Sequence, residues 1–388
     1  MQTLNLADTY SLTTLPNGLR VFTVPLPDRY SVAMAVYVGV GSRYETAETA
    51  GVSHFLEHML FKGSRRYPTP DKISLAVEGV GGSLDGFTTY ARTAYTARVP
   101  AAHYVTALDV LADMLRGPRL RAADVAKERK VIQEELSMVT DEPESWLALL
   151  ADELMFGGHP LGRPVHGTEA SLRAMRPATL QAHLDAFYRP NNTVIALAGV
   201  FDPAQALDQI AARLGDWTPG LTPDFLPAPA LPPGPRVRLG TRPIEQAHIR
   251  LTIPGLSMFD PDRHTLQVLS ALLGDGMSSR LFLDLRERSA LTYNVYSDDG
   301  YEHDTGALIL YAAVDPPRAT RAVRALLGHL WRLRDEPVPE AELVKTKEYL
   351  KGGLLLSLED TAEIADSLAS QAVVREEILS AADLVERI

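Results

Sequence analysis

The 388-residue chain contains no cysteine. Disulfides and thiolate metal sites are therefore excluded, and His, Asp and Glu remain as the side chains that could hold a metal ion. It also lacks any run of 18 or more apolar residues, so no helical membrane span is expected. Positive charge is in deficit: 38 Lys and Arg stand against 49 Asp and Glu, a net charge of -11. That balance disfavours nucleic acid as a main partner, because phosphate binding needs a cationic surface. The opening stretch, MQTLNLADTYSL, has neither the basic flank and apolar core of a signal peptide nor the Arg-rich character of a transit sequence. The cytoplasm is the expected compartment.

What the sequence does contain is enough apolar residues, 46%, for more than one core at this length. Between Trp217 and Pro243 lie eight prolines and no helical periodicity, the composition of an extended linker. Residues 1–216 are expected to form one domain, 217–243 a connection, and 244–388 a second domain. Before the linker, Asn17-Gly18 marks a hairpin, residues 32–38 read as a strand, and a helix runs through GVSHFLEHMLFKG at 51–63. A helix at 71–80, a strand pair within LDGFTTYARTAYTARV, helices near 105–115 and 123–139, and a strand near 193–198 complete that half.

The second half echoes the first. AADVAKERKVIQEEL at 122–136 resembles EAELVKTKEYLKGGL at 340–354, an offset of 218. LEHML at 56–60 falls over GDGMS at 274–278 at the same offset, and YTARVP at 95–100 over YAAVDP at 311–316 at 216. A near-constant offset in unchanged order predicts an α+β fold built from two copies of one α/β unit, each a mixed, largely antiparallel sheet with helices on one face. His54, His58 and Glu135 of the first copy stand over Leu272, Gly276 and Gly353 of the second. Candidate ligands thus occur in one copy alone.

On a helix, His54 and His58 are one turn apart and present both imidazoles to the same side, where they could bind one ion. Glu57 points about 100 degrees away from His58, close enough to reach a metal-bound water without being a ligand. The order His-x-x-Glu-His is the inverse of the commoner zinc-protease helix. A catalytic zinc needs a third protein ligand, and the best candidate is the carboxylate cluster Glu128, Glu134 and Glu135 on a later helix. Taken singly, two helical histidines or a glutamate-rich helix face are ordinary surface features.

HFLEHMLFKG, followed 77 residues after His58 by Glu135 in ERKVIQEEL, resembles the pitrilysin family of zinc peptidases, including its bacterial two-domain and mitochondrial processing members. The similarity extends to LPNGLRV, to FYRPNNTVIALAGVFD and to SSRLFLDLRERSALTYNVYS. The resemblance implies His54, His58 and Glu135 as ligands of one Zn2+ per chain, Glu57 as general base and Glu128 as a carboxylate orienting a ligand histidine. It further implies that Arg286 and Tyr293 meet a peptide bound as an added strand along LDGFTT inside a closing chamber, with Tyr293 helping to hold the tetrahedral oxyanion. Endopeptidase action on unfolded or short peptides is expected; the rival is a noncatalytic scaffold subunit of a heterodimeric peptidase. Larger members carry four such units, so a homodimer, or a heterodimer with a related subunit, is expected here.

Two departures stand out. Asp85-Gly86 replaces the Asn-Ala usual at the start of that strand, and the ending ILSAADLVERI is expected to be shortened relative to the family. His159 and His166 in GGHPLGRPVHG read as loop residues, and His103, His248 and His264 lack partner spacing, so none is expected to bind metal.

Overall fold

The computed structural model describes residues 10–231, 233–375 and 378–388. Most of the opening stretch read above for targeting features lies outside the described residues. The elements run β1 (Ser11–Thr14), β2 (Arg20–Pro25), β3 (Ser31–Val38), α1 (Val52–Leu60), α2 (Pro70–Glu78), β4 (Ser83–Thr88), β5 (Thr93–Pro100), α3 (Tyr104–Arg116), α4 (Ala122–Asp141) and α5 (Pro143–Phe156). They continue with α6 (Glu169–Ala174), α7 (Pro177–Phe187), β6 (Thr193–Gly199), α8 (Pro203–Leu214), β7 (Ala247–Pro254), α9 (Arg263–Gly274), a π-helix (Phe282–Arg288), β8 (Thr292–Tyr301) and β9 (Gly306–Val314). Helices α10 (Ala319–Asp335), α11 (Glu340–Ser357), α12 (Thr361–Val374) and α13 (Ala381–Arg387) follow. The expected hairpin forms around Asn17-Gly18, where Gly18 takes φ 87. The described residues of 218–246 carry no helix or strand, in keeping with their prolines.

Two compact units result. The first sheet has the order β1-β2-β6-β3-β5-β4, with only β2 and β6 parallel. On one face it buries Phe55, Leu56, Met59 and Leu60 of α1 together with Val125 and Ile132 of α4 and much of α3 and α8. The second sheet, β7-β9-β8, is antiparallel and packs Leu273, Leu281, Ala322 and Leu326 on Leu308 and Leu310. From β3 to α4 the order is β-α-α-β-β-α-α, and from β7 to α11 it is the same with the π-helix in place of α2. The fold is α+β, two repeated α/β units.

The units do not follow chain order as the division 1–216, 217–243 and 244–388 does. One comprises Met1–Ser137, Arg163–Leu226 and Leu356–Asp383; the other comprises Met138–Gly162, Pro227–Leu355 and Leu384–Ile388. The physical reason lies on the far face of the first sheet, which is paved with Ala33, Ala35, Ala94, Ala196 and Ala198. Small side chains there admit a helix at close range, and α12 fits because Ala365, Leu368, Ala369 and Ala372 form one stripe at helical spacing. Tyr37 Oη donates to Asp366, and Arg20 Nη1 to the Ala372 carbonyl at 2.6 Å. In the second unit α5 packs against β7. An offset of 218 carries α5 onto α12, so each repeat hands its last helix to the other repeat's sheet.

Candidate metal centre

Helix α1 is amphipathic in the ordinary way except on the side that carries His54, Glu57 and His58. Its apolar residues Phe55, Leu56, Met59 and Leu60 are fully buried. The start of the helix is fixed by Glu45, a buried carboxylate that accepts from Gly51 N at 2.6 Å and Ser53 N at 2.8 Å. Both amides are among those a helix leaves unsatisfied at its N-terminus. Burial pushes the Glu45 carboxyl up to about 7 against these hydrogen bonds. Gly51 is required here: it takes φ 86, and a Cβ would stand 2.5 Å from the His166 carbonyl oxygen.

Helix α4 supplies the facing carboxylates. Val125, Ile132 and Glu128 are buried, and Glu135 continues their face one turn beyond Ile132. Arg129 ties the helix down, donating from Nε to Leu172 O at 2.9 Å and from Nη2 to Met175 O at 2.8 Å. Glu135 Oε2 thereby stands 3.4 Å from His58 Nε2 and 4.0 Å from His54 Nε2. Among the described residues, His54, His58 and Glu135 form the one group of three whose ligand atoms all lie within 4.8 Å of one another. Ligands about 2.0–2.1 Å from a tetrahedral zinc are roughly 3.4 Å apart, so the spacing fits such an ion. One buried atom supports the fit: Glu135 Oε2 has no hydrogen-bond partner, as expected of a group whose partner is not protein.

The surroundings divide the two histidines. His58 Nδ1 donates to Glu128 Oε1 at 2.8 Å, while Lys62 Nζ meets Glu128 Oε2 at 2.9 Å. Burial opposes charge on His58, but the hydrogen bond it donates to Glu128 and the charges of Glu135 and Glu57 raise its pKa. Glu128 moves the other way: burial would raise it, yet His58 and Lys62 hold it below the usual carboxylate range. His54, only 11% exposed, is pushed down to about 3 by burial and by the neighbouring imidazoles of His58 and His166, so it stays neutral and able to ligate. Glu57 is pushed up to about 7 by burial, with Asp85 and Glu135 adding to the shift and His58 and Thr88 opposing it. The Thr88 hydroxyl, at the end of β4, donates to Glu57 Oε2 at 2.9 Å.

The structure thus gathers His54, His58, Glu135, Glu57 and Glu128 into one cluster. Arg286 and Tyr293 belong to the other unit, on the π-helix and on β8. Arg286 lies over the Phe282 ring at 4.8 Å, and the Tyr293 side chain is exposed. Between them Ala290 takes φ 43, a conformation that alanine adopts only under constraint. Of the histidines read as ordinary, His159 Nδ1 accepts from Leu161 N and His248 Nδ1 pairs with Tyr311 Oη. His166 differs. It stands in a turn, but its ring meets that of His54 edge-on with centroids 4.7 Å apart. No spacing in the sequence signals this, because the approach is made by the fold.

Residues 20–169 match the Insulinase (Peptidase family M16) model, and residues 175–350 the Peptidase M16 inactive domain. An uncharacterized zinc protease of Mycobacterium tuberculosis is 40% identical over 356 residues, spanning 90% of this chain and 80% of that protein. The chain belongs to peptidase family M16. A second relative in the family, an uncharacterized zinc protease of Bacillus subtilis, is 34% identical over 348 residues, 90% of this chain and 84% of its own length. The M16 fold is likewise seen in a protease from Helicobacter pylori, with a TM-score of 0.86 at 22% identity over 97% of this chain and 95% of that one. A peptidase M16 inactive domain from Pseudomonas fluorescens superposes with a TM-score of 0.85 at 18% identity, over 97% of this chain and 93% of that one. No helix among the described residues is long and apolar enough to cross a membrane.

Proposed function

We propose that this M16 chain is a zinc-dependent endopeptidase acting on unfolded or short peptides, with one zinc ion held by His54, His58 and Glu135. The observation that carries the reading is the convergence of Glu135 Oε2 on both histidine Nε2 atoms, with the Glu57 carboxylate one residue from His58 on the same helix. Bound there, zinc supplies a Lewis acid that polarises a scissile carbonyl and acidifies water. Glu57 acts as the general base. It takes the proton of the attacking water and returns it to the departing amine, while Thr88 holds one of its oxygens in place. Glu128 fixes the His58 ring through Nδ1, and Lys62 balances the charge of Glu128.

Substrate would join the sheet at β4. That strand is an edge, paired with β5 alone, and it lies beside the cluster through Thr88. An edge strand offers backbone donors and acceptors to an extended chain of almost any sequence, which favours unfolded segments over folded proteins. Gly86 keeps β4 close to α1, since a Cβ there would meet the Phe61 ring at 3.0 Å. Arg286 and the exposed Tyr293 would meet the peptide from a second copy of the chain, so the working form in this reading is a homodimer.

The deciding test combines metal analysis of the purified protein with cleavage of a quenched fluorescent peptide. The expected result is one zinc per chain and turnover that chelator abolishes and zinc restores. Zinc-loaded protein that cleaves no peptide, alone or mixed with other M16 subunits, would instead support a noncatalytic scaffold.

A further inference from the structure

The two histidines of the centre have unequal support. His58 has Glu128 behind its Nδ1, 2.8 Å away. His54 turns Nε2 toward Glu135 and leaves Nδ1 buried without a hydrogen-bond partner. A histidine that ligates through Nε2 keeps its proton on Nδ1, and that donor almost always finds an acceptor, which sets the tautomer and the ring orientation. The ring against His54, apart from His58 itself, is that of His166, edge-on at 4.7 Å between centroids and 67° between planes.

We infer that His166 is a positioning residue for His54, accepting the Nδ1 proton with an imidazole nitrogen and so doing for His54 what Glu128 does for His58. The inference rests on the metal reading above and adds a residue to it. The turn that carries His166 is placed for such a role. Gly167 N donates to Pro164 O at 2.9 Å, and the backbone of His166 and Gly167 is packed so closely on Gly51 that a Cβ at Gly51 would have no room. The position of the His166 Cα relative to the first turn of α1 is therefore set by backbone contacts. A neutral acceptor also adds no charge. The centre already gathers the carboxylates of Glu57, Glu128 and Glu135, and a fourth beside His54 would compete for the cation.

The test is zinc affinity of the full chain, stripped of metal and titrated against a chromophoric chelator. H166F keeps an aromatic ring against His54 but offers no acceptor, whereas H166Q offers an amide oxygen. H166F is expected to bind zinc about 10–100-fold more weakly than the wild type, and H166Q within about 3-fold of it. Unfolding midpoints of the metal-free proteins establish that the variants fold, and H166L, with a smaller side chain, replaces H166F if the latter does not. Wild-type affinity in folded H166F or H166L overturns the inference, as does a loss in H166Q equal to that in H166F. E135A, measured alongside, separates this from failure of the metal reading: a wild type that takes up no zinc, or an E135A chain that binds as tightly as the wild type, overturns both.

Discussion

His54 and His58 share one face of α1 but not one environment. The charge that Glu128 and Glu135 place around His58 favours its protonated form in the absence of metal, while burial keeps His54 neutral. Metal uptake therefore competes with a proton on His58, and zinc affinity should rise with pH through the range in which His58 titrates. The division of labour between the carboxylates gives a sharper expectation. Glu57→Gln should keep zinc at wild-type affinity and lose roughly 10²–10⁴-fold in kcat, the usual worth of a general base. Glu135→Ala should lose zinc itself, by more than the roughly 10–100-fold typical of removing an outer hydrogen bond. Metal titration and single-turnover cleavage of the same preparations check both. Behind α1, His183 Nε2 lies 3.2 Å from Ser53 Oγ, and burial pushes its pKa down to about 3. The unfolded chain binds this proton near pH 6.5 and the folded chain does not, so stability falls as pH drops below about 6.5, by about 1.4 kcal/mol per unit for this group. Urea unfolding of metal-free protein at pH 7.5 and pH 5 should show the wild type losing about 2 kcal/mol more than His183→Gln.

At the scale of elements, the centre is a meeting of α1, α4 and the edge strand β4, and most of that meeting is legible in the sequence. The i, i+4 pair His54 and His58 follows from helical geometry, which a sequence states directly, whereas the choice of Glu128 and Glu135 among the carboxylates of α4 is what the family resemblance implies. The hairpin at Asn17-Gly18 and the strand pair before Pro100 declare themselves for the same reason. What stays hidden is contact made through the fold. His166 stands in a turn 112 residues after His54 and carries no periodic signal. The partner of α12 is equally unreadable, because a stripe of Ala365, Leu368, Ala369 and Ala372 would suit any shallow apolar face, and it is the alanines of β3, β5 and β6 that leave room for it on this sheet. That packing is tight enough to test. Ala369 is fully buried, and Ala369→Leu should overfill the contact and cost about 1–3 kcal/mol. A lower urea midpoint with an unchanged slope is the expected signature.

The whole molecule is two interlocked repeats, one with the candidate ligands and one with Arg286 and Tyr293. In the proposed homodimer each metal centre would use the Arg/Tyr unit of the partner. Mixing an inactive Glu57→Gln chain with an inactive Arg286→Ala/Tyr293→Phe chain should then restore activity, up to about a quarter of the wild-type rate per chain if subunits exchange at random. Absence of recovery among folded chains that demonstrably exchange would remove the shared-site homodimer. The loan of α12 to the first sheet has a consequence in time. The strands of that sheet are all synthesised by Gly199, but the helix that covers their alanine face begins only at Thr361. At about 5–20 residues per second, a ribosome takes roughly 8–32 s to cross that interval. Until then the alanine face of that sheet has no helix to cover it, so the unit that holds the candidate metal ligands cannot complete its packing before Val374 has been made. On the proposed reading, an endopeptidase for unfolded chains would thereby be kept incomplete while it is itself unfolded.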